Sequence, residues 1–401
     1  MKLSSGFPYS LIRYGLPFHY PKLESDINTE VAIVGGGISG ALNAFFLTEA
    51  GIDCVVLDKR TIGLGSTAAS TSLLQYEIDV SLNDLIATRG EQEAIRAYTL
   101  ANEAVTKLEA ISSTIGFAGF RHTNSLYFGV AKKDTDRLKR ECEKRQSIGL
   151  DVQYLDALQL EGMFSIKTFG GILSSNAAFA DAYLLTHGLL QYAIRKNARV
   201  YDRTEIKTVV QKRGHLEITT SDRIKIKARA VVYATGYEAI ETMKPGRIKL
   251  RSTYATISES FADCNSLPLQ QTLMWNTADP YLYMRCTEEG RVIVGGRDDL
   301  FLNPTRRDKS ISLKTKLLTR DFKKLFPSTD FIPEFSWAGT FIKSDDGLPF
   351  IGKYPGKRNC YYALGFGGNG VIFSLIAAEI IRDMIQGKKN SDQGLFHFNR
   401  A

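Results

Sequence analysis

Between Glu30 and Asp58 the chain reads as strand, glycine turn, helix, strand and acid. An apolar run, Val31-Ala32-Ile33-Val34, meets Gly35-Gly36-Gly37-Ile38-Ser39-Gly40. A helical pattern continues to Ala50, and after Gly51 a second apolar run, Cys54-Val55-Val56-Leu57, ends at Asp58. This order is the fingerprint of a dinucleotide site. Gly35 permits the tight turn, Gly37 lets the backbone approach a pyrophosphate, and Gly40 lets helix and strand pack closely. The helix start at Ile38 and Ser39 offers unpaired N–H groups and a partial positive charge to phosphates. Asp58, eighteen residues past Gly40, is placed to accept hydrogen bonds from a ribose. Val31 to Leu47 carries no charge, but its glycines, its length of 17 and its lack of a basic flank do not suit a membrane span.

A chain of 401 residues exceeds one ordinary core, so two domains are expected. Hydrophobic content of 44% and charged content of 23% are those of a globular protein, and Met1 to Pro8 lacks the apolar core of a secretory signal. Cys54, Cys142, Cys264, Cys286 and Cys360 form no CxxC pair and read as free thiols of a reducing compartment, which places the protein in the cytoplasm. The net charge of +8 is compatible with a nucleic-acid or anionic partner. Its densest source, Lys132 to Arg145, mixes seven basic with four acidic residues and reads as a solvated helix face, so nucleic acid is not the expected partner.

Apolar residues at helical spacing predict a long helix over Glu91 to Ile115, another over Tyr183 to Lys196 and a last one over Val371 to Met384. Strands are expected at Ser125–Val130, Glu205–Val210, Leu216–Thr220, Ala230–Ala234, Tyr281–Arg285, Arg291–Val294 and Tyr361–Leu364. Strands alternate with helices at both ends, and the middle is richer in strands. No low-complexity linker separates the parts, so the two domains are expected to interweave. Gly365-Phe366-Gly367-Gly368-Asn369-Gly370 also matches GxGxxG, but only 31 residues follow Gly370 and no second strand ends in an acid. It presents a helix N-terminus without being a second nucleotide fold.

Taken in order, these pieces resemble the D-amino-acid oxidase family of FAD-dependent amine oxidoreductases, near the sarcosine, glycine and gamma-glutamylputrescine oxidases. The resemblance rests on the fingerprint, Gly63-Leu64-Gly65-Ser66-Thr67, Thr204-Glu205-Ile206, Ala234-Thr235-Gly236, Gly295-Gly296, Trp337-Ala338-Gly339, Asp346 to Gly352 and Gly365 to Gly370. It implies an α/β chain (α+β overall) in which a doubly wound, Rossmann-type FAD domain interweaves with a β-sheet substrate domain. The segments would be 27–78, 160–245 and 340–401 for FAD and 79–159 and 246–339 for the substrate, with 1–26 an extension packed on the core.

The same resemblance implies that Gly65, Ser66, Thr67 and Thr71 reach the pyrophosphate or ribityl chain. Lys59 and Arg60 would flank the ribose acid, Ile206 would meet adenine through its backbone, and Ala234, Thr235 and Gly236 would close the turn beside it. Gly347 and Leu348, with Gly367, Gly368, Asn369, Gly370 and Val371, would line the isoalloxazine. The helix start near Val371 suits that place, since reduction puts negative charge on the flavin's pyrimidine edge and a helix dipole stabilises it by roughly 0.3–1 kcal/mol, up to about 2 when partly buried. Relatives with a covalent flavin carry Cys near Gly339 or His near Ala69; neither is present, so FAD is expected without a covalent bond.

The reaction implied removes a hydride from the carbon beside an amine nitrogen, and the resulting imine hydrolyses. The nitrogen must be neutral at that moment. An alkylammonium with a pKa of ~10 costs about 4 kcal/mol to deprotonate at pH 7, and an apolar pocket lowers that cost. Tyr281, Tyr283 and Phe341 are expected as its walls, with Tyr281, Tyr283 and Arg285 on one strand face and Leu282 and Met284 on the other. Cations that clamp a substrate carboxylate in relatives align with Gln75, Phe341 and Ile372, none of them charged, so Lys343 or Arg285 is the expected substitute. The lysine associated with dioxygen in sarcosine oxidases aligns with Ile293. The acceptor is dioxygen or another oxidant; a quinone- or protein-linked dehydrogenase, a tRNA-modifying flavoprotein acting on an aminomethyl-uridine and a nicotinamide dehydrogenase remain as alternatives. His19, His122, His187, His215 and His397 form no spaced cluster, so no metal site is expected, and His122 is the histidine to test.

Overall fold

The computed structural model describes residues 2–241, 248–261, 267–301 and 303–400. Cys264 and the expected domain boundary at 245 fall outside them. Two sheets dominate. The first has eight strands, with a parallel run Cys360–Leu364, Lys225–Tyr233, Ile27–Val34, Cys54–Leu57 and Arg199–Tyr201. Phe350–Lys353 adds an antiparallel edge, and Ile206–Gln211 with Leu216–Thr220 form a meander running into Lys225–Tyr233. Val31, Ala32, Ile33 and all four residues of Cys54–Leu57 are fully buried, as a parallel sheet covered on both faces requires.

The fingerprint helix Ile38–Glu49 packs on one face, between the helices Ala182–Arg195 and Gly370–Ile385. Asp181 caps the first of these two by accepting from the Tyr183 and Leu184 N–H groups. The long helix Glu91–Ile115 lies against Gly370–Ile385 and stops at Gly116, a left-handed cap.

The second sheet has ten strands in the order Ser4–Gly6, Pro333–Ser344, Ile248–Ser258, Val292–Asp299, Tyr283–Cys286, Thr272–Asn276, Arg121–Phe128, Gly171–Phe179 and Leu73–Gln75, with Val152–Leu155 also pairing to Gly171–Phe179. By sheet membership, Leu73–Gln75, Gly171–Phe179 and Thr340–Ser344 stand with this sheet, although they lie in segments expected with the first. Their pairings are long-range, and a strand's own sequence carries no mark of the sheet it joins. The N-terminal segment adds the strand Ser4–Gly6 and buries Leu3, Tyr20 and Leu23. A helix with no sequence expectation, Pro304–Leu325, covers the outer face of this sheet, where Leu318 and Phe322 join Tyr254, Leu282, Met284, Val294 and Ala338. Period-two alternation therefore turns Thr253, Tyr283, Gly295 and Gly339 the opposite way, toward the first sheet.

The charge run forms the helix Asp134–Ser147, but it is not solvated all round: Leu138, Glu141, Cys142 and Arg145 are buried. Arg145 Nε donates to Glu141 at 2.9 Å, and its Nη1 lies 3.8 Å from Glu77. The guanidinium also lies over the rings of Tyr98 and Tyr76. Desolvation is what makes such groups expensive, and the pairing offsets it.

Candidate active site

A cavity of about 640 Å³ lies between the two sheets. Gly35, Gly37, Ile38, Ser39, Asp58, Lys59, Arg60, Gly65, Ser66, Thr67 and Thr71 line it from the first part of the chain. Ile206, Ala234, Thr235 and Gly236 line it from the middle, and Gly367, Gly368, Asn369, Gly370 and Val371 from the last part. The fingerprint and the Asn369 loop thus face one space. Gly40 stands off it, because its role is packing: a Cβ there would land on the Gly35 carbonyl oxygen.

Asp58 Oδ2 accepts from Gly36 N at 2.7 Å and Oδ1 from Arg60 N at 2.8 Å. Burial raises its pKa above the usual carboxylate range, and the two backbone hydrogen bonds work against that shift. Lys59 and Arg60 both pair with Glu238, whose carboxyl is held at about 2 by the Arg60 contact despite its burial.

The opposite wall comes from the second sheet. Trp275, Tyr281, Tyr283 and Phe341 line the cavity, with ring centroids 6.0 Å apart for Trp275 and Tyr281 and 5.8 Å for Tyr281 and Tyr283. Tyr283 belongs to the strand Tyr283–Cys286, while Tyr281 precedes it in a loop. Gly295, directly across from Tyr283, leaves room for that ring: any Cβ there would overlap it. Gln75, Phe341 and Ile372, the three positions where the resemblance suggested a cation, all line the cavity, and none is charged.

Other expected residues lie elsewhere. Lys343 does not line the cavity; the lining ends at Phe341, and Lys343 stands one two-residue step further along the strand, paired with Lys249. Arg285 does not line the cavity either; its Nε donates to Thr71 O at 2.7 Å and its Nη1 to Cys286 O at 3.0 Å. Gly347 and Leu348 back the site rather than line it: Gly347 packs toward Ile78 and Val80, and the Leu348 carbonyl accepts from Ser344 and Arg400. Ile293 packs with Ala255, Ile257 and Trp337 off the cavity. His122 is exposed beside Glu109, away from the lining. Buried His187 holds Tyr20 OH at 3.0 Å, and its pKa is lowered to about 4 by desolvation.

Trp275, Asp79 and Asp298 are among the lining residues that sequence reasoning missed. Asp79 accepts from Gly368 N at 3.0 Å and from Tyr281 OH at 3.3 Å. Asp298 lines the same wall, bonded by Thr253. Asp298 follows the Gly295-Gly296 pair by two residues, which is the one local signal; Asp79 has none.

A family model described as FAD dependent oxidoreductase, DAO, matches residues 30–384. Glycine oxidase of Geobacillus kaustophilus is 24% identical over 374 residues, spanning 90% of this chain and 94% of the relative. Gamma-glutamylputrescine oxidoreductase of Escherichia coli is 22% identical over 391 residues, spanning 92% and 86%. The crystal structure of glycine oxidase from Geobacillus kaustophilus superposes with a TM-score of 0.78 at 20% identity, over 93% of this chain and 99% of that one, so the fold is shared. Among the described residues no helix is long and apolar enough to cross a membrane. The chain is an enzyme and belongs to the DAO family of FAD-dependent oxidoreductases.

Proposed function

We propose that the protein oxidises the carbon–nitrogen bond of an amine or amino acid to an imine, with the first sheet and its helices holding FAD and the second sheet capping the substrate. The residues present fit the cofactor. Ser39 Oγ and Ser66 Oγ, beside the fingerprint turn, are buried without a hydrogen-bond partner, as are Gln75 Oε1 and Trp275 Nε1 on the opposite side. A Cβ on Gly37 would stand 2.8 Å from Thr67 Oγ1 and close the approach that a pyrophosphate needs. No cysteine or histidine is among the described lining residues, which supports a cofactor held without a covalent bond; acid precipitation should then release all the yellow colour.

When bound, FAD supplies the two-electron acceptor for the departing hydride. Ser39, Ser66 and Thr67 would hold its phosphates, and Asp58 its ribose. The unspent N–H groups at the start of Gly370–Ile385 would face its negative edge on reduction. Trp275, Tyr281, Tyr283 and Phe341 exclude water from the substrate side and favour the neutral amine from which a hydride can leave. The observation that carries this reading is the shared cavity, with the fingerprint and the Asn369 loop on one side and the aromatic wall on the other.

The test is anaerobic mixing of the purified protein with a panel of amines and amino acids while flavin absorbance is followed. Rapid bleaching by members of the panel is expected. If none bleaches a flavin that dithionite reduces normally, the reading is wrong. Readmitting air then reports the acceptor, with fast recolouring for dioxygen and slow recolouring for a quinone or protein.

A further inference from the structure

We infer that the substrate carries a second positive charge, remote from the reacting nitrogen, held by Asp79 and Asp298 against the rings of Trp275, Tyr281 and Tyr283. This rests on the amine-oxidation reading above. The lining cations among the described residues are Lys59, Arg60, Lys207 and Lys357, all from strand ends and loops of the first sheet. Among the described residues, the lining from the second sheet and the 75–79 segment carries two charged groups, the carboxylates Asp79 and Asp298. Arg251, in the neighbouring strand and opposite Phe341, does not line the cavity; it pairs with Asp279 at 3.2 Å and offsets part of the Asp298 charge, leaving Asp79 as the further acid of the wall.

Two carboxylates beside aromatic rings form a site for an ammonium ion, in which the rings exclude water and the acids supply the counter-charge. The same acids repel the carboxylate of a small amino acid, which also finds Gln75, Phe341 and Ile372 uncharged. The held ammonium is not the reacting one. Carboxylates stabilise the protonated form, whereas hydride loss requires the neutral nitrogen. A diamine or polyamine meets both demands, with one charged nitrogen at the acids and one desolvated nitrogen at the flavin. Buried Trp275 Nε1, without a partner of its own, adds a donor for a polar atom on the linking chain. Burial pushes Asp298 up to about 6, with Thr253 and Arg251 opposing and Asp79 and Asp279 adding to the shift; it is therefore mostly ionised at pH 7 and ready to pair.

The experiment compares 1,6-diaminohexane, hexylamine and N-methylglycine as anaerobic reductants of the holoenzyme. In parallel, hexyltrimethylammonium, which cannot lose a proton, is titrated while calorimetry reads its binding. The diamine should half-saturate at a concentration about tenfold below hexylamine, and Asp298→Asn should erase that advantage and weaken the quaternary probe about tenfold. Flavin content of Asp298→Asn should stay at the parent level, and Asp298→Glu should restore part of the binding. Equal half-saturation for diamine and monoamine, or fastest bleaching by N-methylglycine, overturns the inference while amine oxidation stands. Bleaching by no amine at all removes both.

Discussion

The backbone N–H of Gly368 donates to the carboxylate of Asp79 at 3.0 Å, tying the turn before the last helix to the segment that follows the edge strand Leu73–Gln75. Asn369 strengthens the tie, donating through Nδ2 to the Gln75 and Glu77 carbonyls at 2.8 and 2.9 Å. Asp79 therefore has two separable roles, a geometric one in its acceptor oxygen and an electrostatic one in its charge. Asp79→Asn keeps an acceptor for Gly368 and should retain FAD at the parent ratio of flavin to protein absorbance. Asp79→Ala loses the acceptor and should purify with visibly less flavin. Equal flavin content in the two variants would show that the tie does not shape the cofactor site.

Gly40 packs where helix Ile38–Glu49 meets the Gly35 carbonyl. Gly40→Ala must force the two apart, an overpacking that costs roughly 1–3 kcal/mol or more. A lower urea midpoint and loss of flavin are expected together. Parent-like stability with full flavin would mean the contact relaxes freely.

Arg145 and Glu77 are each about 1% exposed, and Glu141 is 2% exposed. Replacing Arg145 by Met leaves two acids in a site that burial already makes hostile to charge, at a cost of about 3–5 kcal/mol. Because Glu77 lies within the Gln75–Asp79 segment, flavin retention should fall with stability. Changing Arg145 and Glu77 together to apolar residues, with Glu141 kept to accept from the Leu82 and Asn83 N–H groups, should recover part of the loss, as measured by urea unfolding.

Asp298 sets an opposition between stability and binding. Its carboxyl is pushed up to about 6 by burial, above the ~4 of an unfolded chain. The folded protein thus holds that proton more tightly, and this contribution to stability is complete below pH ~4 and lost as pH rises through about 6. Asp298→Asn should unfold at higher urea than the parent at pH 8, with the difference vanishing near pH ~4. Binding of a cationic amine runs the other way and weakens in the parent as the pH falls below about 6. A variant less stable than the parent at pH 8 would contradict the assignment.

The fingerprint was legible because its signals are local: turn, helix start and acid occupy one stretch of chain, and the helix Glu91–Ile115 was legible from its apolar spacing alone. Tyr281, Tyr283 and Phe341 were expected as walls, the tyrosines from strand alternation and the resemblance together, even though Tyr281 lies just outside its strand; Trp275 on a neighbouring strand was not. Asp79 and Asp298 were not legible, because an isolated aspartate has no pattern and only long-range strand pairing brings the two to one cavity. Arg145 and Arg285 misled for a related reason. Charge in a sequence suggests solvent or ligand, whereas here one side chain serves a buried network and the other is spent on backbone carbonyls. The helix Pro304–Leu325 went unread because its buried positions are few, Arg307, Leu318 and Phe322, among many basic residues.

With its amide committed to two carbonyls across the gap, Asn369 leaves the helix Gly370–Ile385 without a side-chain cap. That buried, apolar helix packs against the fingerprint helix and begins with donors that no side chain among the described residues caps. An anion that settles there binds the folded chain alone, so apoprotein and holoprotein should differ in cohesion as well as colour. Proteolysis near the C-terminus would then serve as a gauge of cofactor loading.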